Sequence, residues 1–248
     1  MPRYIPNLRF ADCWSSIGNV TFFHIDGRCY WRTRPRPVFP GTPGQLHQLD
    51  IHRRALAAWR TITSQEQQQW NAYAKKAPSS RPPYTEDHHI TGHNLFVSAY
   101  HGFAQLGNEH VPHPQSYQQF PVATVQSVAA TVINGKDMQL NCTVLMKTAT
   151  PPTRFRVAAR IQLADKCQGK NSGLMRSFLS VTQQVRTLHE DSEQGMYLMT
   201  VLFTLDRYRS IWNIDGPDCN MYSKFFMIDR VTGYRKLFWT GHSLLTAY

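Results

Sequence analysis

Hydrophobic positions along the chain change their period twice, and the two changes divide it into three stretches. Near the start, Val20-Thr21-Phe22-Phe23-His24-Ile25 and Arg28-Cys29-Tyr30-Trp31 are two β-prone runs joined by Asp26-Gly27. An Asp-Gly pair between such runs is a strong hairpin signal, because a type I′ turn needs positive φ at both central residues. Pro35, Pro37 and Pro40, interleaved with Arg34 and Arg36, then withhold backbone donors and favour an extended path. Residues 1–41 are therefore predicted to form a hairpin and an extended arm.

From Thr42 the spacing becomes helical. Thr42-Pro43-Gly44-Gln45 places an N-cap, a first-turn proline and a capping-box glutamine in order, and predicts a helix to about Arg60. Thr63-Ser64-Gln65-Glu66 opens a second helix, with Trp70, Tyr73, Ala74 and Ala77 on one face and Pro78 as its stop. After a proline-rich segment, Thr91 caps a third helix carrying Leu95, Phe96, Ala99, Tyr100 and Phe103, and Gly107 ends it. Residues 42–110 read as a three-helix module.

Beyond Pro112 and Pro114 the pattern shortens to β-like runs at 122–133, 138–146, 155–163, 178–185 and 196–205, with an Asn134-Gly135 turn after the first. A last hairpin is predicted around Thr232-Gly233, with arms over 224–231 and 234–240. About seven strands at this spacing suit an antiparallel β-sandwich of immunoglobulin-like type over 115–248, without the Cys and Trp spacing of true immunoglobulin domains. The predicted fold class is α+β: hairpin arm, helical module, sandwich.

Composition agrees with a folded chain. Of 248 residues, 42% are hydrophobic, 12% aromatic and 17% charged, too apolar for disorder and long enough for one or two buried cores. The net charge of +11 makes an acidic partner worth considering. It is spread along the chain, with +4 in residues 1–42, +2 in 43–107 and +5 in 108–248, and its densest run is Arg28, Arg32, Arg34 and Arg36. Cys13, Cys29, Cys142, Cys167 and Cys219 are odd in number and lack a C-x-x-C pair, so buried thiols are expected rather than disulfides or zinc. The N-terminus lacks the apolar segment of a secretory signal, and no run of about 18 apolar residues occurs. The expectation is a protein made and kept in a reducing cytoplasm, or leaving it by cell lysis, that does not insert into membranes.

Catalytic chemistry finds no foothold. His88, His89 and His93 cluster, with His89 and His93 at i, i+4, but a third ligand of suitable spacing is missing, and no metal site is expected. Gly169-Lys170-Asn171-Ser172-Gly173 lacks the frame of a phosphate loop, and no G-x-S-x-G elbow occurs. No catalytic residue and no cofactor is expected, so the chain reads as a non-enzyme. Phe22, Phe23, Tyr30, Trp31, Arg32 and Arg34 form the candidate subunit interface. Strand alternation puts Arg32 and Arg34 on the face of Tyr30 and turns Trp31 the other way. In the rival reading Arg28, Arg32, Arg34, Arg36, Arg53 and Arg54, continued by Arg60, Lys75 and Lys76, form a surface for nucleic acid.

One ordered set of residues carries a resemblance. Gly41-Thr42-Pro43 with Gln45, then Arg53-Arg54, then Trp59-Arg60-Thr61-Ile62-Thr63, Gln67 or Gln68, and Trp70-Asn71-Ala72-Tyr73-Ala74 follow the early hairpin. This resembles a family of phage and prophage-like structural proteins. There a G-x-V-x-F hairpin and an Arg- and Pro-rich stretch precede a T-P-x-Q…R…W-x-x-L-T-x-x-Q-x-x-W-x-x-Y-A helical pair. The match spans residues 18–77, with Ile62 in place of Leu, and leaves 110–248 outside. It implies a virion or assembly component whose partners are copies of itself and other particle proteins, and it transfers no catalytic residue. A weaker likeness to the HMG box meets a near-neutral balance over 43–107, where minor-groove binding needs a clearly basic face.

Overall fold

In the computed structural model, residues 3–4, 15–26, 28–33, 41–77, 90–114, 120–149, 152–165, 168–190, 195–214 and 219–245 are described, and the chain divides into two compact units, Met1–Leu46 and His47–Tyr248. The proline-rich arm, with Arg34 and Arg36, lies outside the described residues, as do Gly27, His88, His89, Cys13 and Cys167.

The predicted hairpin is the middle of a larger sheet. β1 (Arg3–Tyr4), β2 (Ser15–Ile17), β3 (Val20–Ile25) and β4 (Arg28–Thr33) pair antiparallel in the order β1-β4-β3-β2. Ile25 faces Arg28 across the turn, and Asp26 takes the positive φ that the Asp-Gly signal requires, at 51°. β1 and β2 span two and three residues, too short for any hydrophobic period to announce them. They supply the additional strands that an isolated hairpin needs for stability in water.

The helices form where their caps stand. α1 (Pro43–Thr61) starts at Thr42, whose hydroxyl accepts from Gln45 N at 3.4 Å while the Gln45 side chain accepts from Thr42 N at 3.2 Å. α2 (Ser64–Lys76) has the reciprocal box of Thr63 and Glu66, at 3.2 and 2.8 Å. α3 (Gly92–Gln105) is capped by Thr91, and Gly107 follows it at φ 81°. A fourth helix, α4 (Tyr208–Trp212), is a single short turn among the strands rather than an addition to the 42–110 stretch.

The remaining strands make two four-stranded antiparallel sheets. β5 (Val122–Ile133), β6 (Asp137–Thr148), β10 (Gly195–Leu205) and β9 (Thr182–Glu190) pair in the order β5-β6-β10-β9. β12 (Arg235–Leu245), β11 (Cys219–Asp229), β7 (Phe155–Ala164) and β8 (Arg176–Leu179) pair as β12-β11-β7-β8. Met138, Leu140, Cys142, Val144 and Met146 alternate inward on β6, as do Val201, Phe203 and Leu205 on β10. They meet the other sheet in one core, with the Phe203 and Phe225 rings 5.8 Å apart.

The run read as one strand over 178–185 is two. It pairs with β7 up to Leu179, then crosses and pairs with β10 from Thr182. At the crossing Ser180 N bonds to Val157 O at 3.1 Å and Val181 N to Leu202 O at 2.8 Å, so one segment is satisfied by both sheets in turn. Gln183 holds the step, accepting from Val157 N at 2.8 Å and donating to Phe155 O at 3.0 Å. This break is why, among the described residues, eight strands rather than about seven follow residue 115.

Aromatic rings join the helices to the sheets. Phe96 packs on Trp59 at 5.2 Å and on the fully buried Trp70 at 5.5 Å, and Trp70 on Tyr73. Tyr73 meets Tyr234 of the β11–β12 turn at 6.3 Å, and Phe120 bridges Tyr234 to Phe155 of β7. Cys29, Cys142 and Cys219 are buried, and burial pushes the Cys142 thiol up to about 12. No helix among the described residues is long and apolar enough to cross a membrane.

Candidate interaction surfaces

In the first unit, register assigns the aromatic residues to two faces. Thr21 with Arg32, Phe23 with Tyr30, and Ile25 with Arg28 lie on one face, and Val20 with Thr33, Phe22 with Trp31, and His24 with Cys29 on the other. Phe23 and Tyr30 stack at 5.9 Å, and the Arg32 guanidinium lies 5.7 Å from the Phe23 ring centroid. Phe22, Phe23, Tyr30 and Trp31 are half-buried, and Cys29 is the one buried residue among those described before Gly41. Both faces of the sheet thus carry aromatic side chains.

The basic residues of the rival reading are distributed differently. Arg28 and Arg32 are exposed and share the face of Tyr30. Arg53, Arg54 and Arg60 are exposed on α1, where Arg54 pairs with Asp50 at 3.0 Å, and Lys75 and Lys76 are exposed at the end of α2. His93 packs edge-on against Trp59 at 5.3 Å. Among the described residues no three His, Cys, Asp or Glu side chains gather as a metal site would need.

A more concentrated basic feature lies in the second unit, where α1 and α3 face the β12-β11-β7-β8 sheet. A cleft of about 520 Å³ opens there, lined by His47 of α1, His101 and Gln105 of α3, Arg160 of β7, Ser177 of β8 and Arg235 of β12. Leu179 also borders a smaller hollow lined by Arg156 and Arg230, and His47 borders another with Arg54 and Glu109. Register explains the convergence. Ile228 of β11 has Arg235 on one side and Arg156 on the other, and Lys224 is the direct cross-strand partner of Arg160, whose next neighbour is Ser177. The outer face of this sheet therefore brings Arg156, Arg160, Lys224 and Arg235 together.

Burial, then Arg160 nearby, pulls the Arg235 guanidinium below its ordinary value, and burial, then Arg230, does the same to Arg156. His101 is held below 6.5 first by burial, then by Arg235 and by His52, whose Nδ1 lies 3.5 Å from His101 Nε2. The sequence reading missed these residues because they are scattered from His101 to Arg235, each at an ordinary polar position of its own element.

The depressed His101 has a consequence for stability. As pH falls below 6.5 the unfolded chain takes up a proton that the folded one resists, so folding stability is lost in acid. Thermal unfolding at constant ionic strength should show Tm dropping from about pH 7.5 to about pH 5.5, and His101→Gln should flatten that slope. An unchanged slope in the variant would remove His101 from the account.

Comparison with known proteins adds a distant likeness to solved structures. The chain matches no protein-family model and no curated protein. Among solved structures it is similar to AggA, the major subunit of aggregative adherence fimbriae type I from Escherichia coli, at 8% identity over 54% of this chain and 99% of that one, with a TM-score of 0.23.

Proposed function

We propose that this protein is a non-enzymatic structural or assembly subunit of a phage or phage-like particle, acting through contacts with copies of itself and with other particle proteins. The observation that carries this reading is the first unit. It is a four-stranded sheet with aromatic side chains on both faces and, among the described residues, one buried side chain. Aromatic surface of this kind gains by burial against a partner. The outer strands are two and three residues long, which blunts the edges and favours burial of a face over strand addition. The sequence pattern over residues 18–77 supplies the phage-like assignment, with assembly in the host cytoplasm and residence in the particle.

Strand order supports an immunoglobulin-like reading of the sandwich. Labelled A to G in chain order with β8 set aside, β5-β6-β10-β9 becomes A-B-E-D and β12-β11-β7 becomes G-F-C, the arrangement of constant-type immunoglobulin domains. The sandwich then serves as a rigid adaptor surface for other particle proteins.

The test is deletion of residues 1–40, with Trp31→Ala in the full chain as its point counterpart. Light scattering should show a discrete oligomer in the intact protein and its loss in the deletion, while circular dichroism and cooperative unfolding of the remainder persist. An oligomer that survives the deletion overturns the role of the N-terminal sheet. A second reading, nucleic-acid binding, draws on Arg28 and Arg32 beside Tyr30 on one exposed face. It predicts a protein that associates only on added DNA and dissociates steeply with salt.

A further inference from the structure

The basic cleft calls for an account that assembly through the N-terminal sheet does not provide. Arg156, Lys224 and Arg235 are half-buried and Arg160 is exposed; a cation drawn partly out of water is ordinarily paired, because the desolvation cost otherwise goes uncompensated. The ion pairs among the described residues join Arg54 to Asp50, His113 to Glu66 and Arg154 to Asp229. None involves Arg156, Arg160, Lys224 or Arg235, although these four share one sheet face and Arg160 sits directly opposite Lys224. Like charges placed opposite each other across strands are destabilising. Among the described residues no Asp or Glu lines the cleft, and Glu109 borders the adjoining hollow. The partners of these cations within the fold are neutral, since Arg160 Nε donates to Ser177 Oγ at 3.3 Å, Arg156 Nη2 to the Ser180 carbonyl, and Arg235 lies 5.9 Å from the Phe226 ring centroid, so among the described residues the cluster has no internal counter-charge.

We propose that the cleft between α1, α3 and the β12-β11-β7-β8 sheet binds a phosphate ester, with Arg160 and Arg235 as the charged donors to its oxygens and His101 and Ser177 completing the polar wall. A guanidinium offers a planar fork of N–H donors matched to phosphate oxygens, and two of them match the charge of a phosphate dianion, where a monoanionic carboxylate would leave one cation uncompensated. The remaining wall suits an ester rather than bare phosphate. The volume of about 520 Å³ is in the range of small-molecule sites, and Ile51, Ala104 and Leu179 give it an apolar side. Among the described residues no Phe, Tyr or Trp lines it, and the phosphate group is the recognised element. Phosphate of this kind comes either from a free nucleotide-like molecule or from a nucleic-acid backbone.

The experiment uses the full chain, titrated with sodium phosphate, a nucleoside 5′-monophosphate and a single-stranded oligothymidine, each against sodium chloride at matched ionic strength. Saturable rises in Tm, and heats of binding by calorimetry, are expected for the phosphate ligands. The double variant Arg160→Gln with Arg235→Gln should weaken binding at least about tenfold, since each lost charge-assisted contact is among the stronger hydrogen bonds. Arg53→Gln with Arg60→Gln, the same change of net charge on the exposed side of α1, should leave binding intact. Binding of the monophosphate identifies a free ester as the ligand; binding of the oligonucleotide without it, lost in the cleft variant, identifies the backbone. Tm shifts no larger than those of chloride, or equal losses in both double variants, overturn the proposal.

Should the cleft variant fail to fold, the unaltered protein still decides. Phosphate in the cleft faces His101 together with His47 and His52 of α1, Arg160 of β7 and Arg235 of β12, and its negative charge should raise the His101 titration midpoint by about one unit in NMR spectra. An unmoved His101 overturns the site. The inference stands apart from the assembly reading, because oligomeric mass and phosphate binding are separate measurements altered by separate variants.

Discussion

Replacing Asp229 by Ala should cost about 3–5 kcal/mol of folding stability, the range for breaking a buried ion pair by removing one member. The Asp229 side chain is 1% exposed and that of its partner Arg154 18%. Arg154 donates Nε to Oδ1 at 2.9 Å and Nη2 to Oδ2 at 2.8 Å, a bidentate fork that raises the guanidinium above its ordinary value. Val231 N and the Thr232 hydroxyl donate to the same carboxylate at 2.9 and 3.0 Å. Alanine would leave a largely buried cation and two turn donors without their acceptor, and each such loss carries a full desolvation penalty. Urea denaturation of Asp229→Ala and Asp229→Asn separates the contributions, since asparagine retains one acceptor oxygen without the charge. A loss below about 1 kcal/mol for alanine would mean that the turn is held by its neighbours instead.

The second large effect is expected at Gly102. In an exposed helix, Gly→Ala gains about 1 kcal/mol. Here the sign should reverse, with a loss of about 1–3 kcal/mol or more. A methyl group on Gly102 would lie on the carbonyl oxygen of Gly233, and one on Gly233 would meet Phe103 and the carbonyl of Ala99. α3 thus rests backbone to backbone on the β11–β12 turn, and Gly233 takes a φ of 72° there. Since α3 also carries His101, Gly102→Ala should loosen the cleft as well as the fold. Denaturant unfolding gives the first quantity and phosphate titration the second. A stabilised Gly102→Ala protein would show that the helix and the turn do not touch.

Both predictions concern the joint between helices and sheets, and that joint was not legible in the sequence. Local signals were. The Thr63–Glu66 box and the Thr91 cap stand where their side chains required, because a cap is satisfied within four residues of chain. Asn134 and Gly135 both take positive φ, at 50° and 64°, as a type I′ turn demands, and Lys136 N bonds back to Ile133 O at 3.2 Å. Alternation on β6 and β10 likewise announced strands whose inner faces are buried.

The sequence could not show pairing. β1 and β2 are too short to carry a period, and the 178–185 run looks continuous because its alternation persists while its hydrogen-bond partners change sheets at Ser180. The basic cleft escaped for the same reason. The chain concentrates its arginines visibly at Arg28 to Arg36, whereas Arg156, Arg160, Lys224 and Arg235 meet through strand register alone. By itself the sequence determined the caps, the turns and the strand faces, which depend on forces acting within a few residues. The tertiary structure alone decided which strands are neighbours, where a helix can touch a turn and which cations share a cleft, because these follow from long-range pairing that no local pattern encodes.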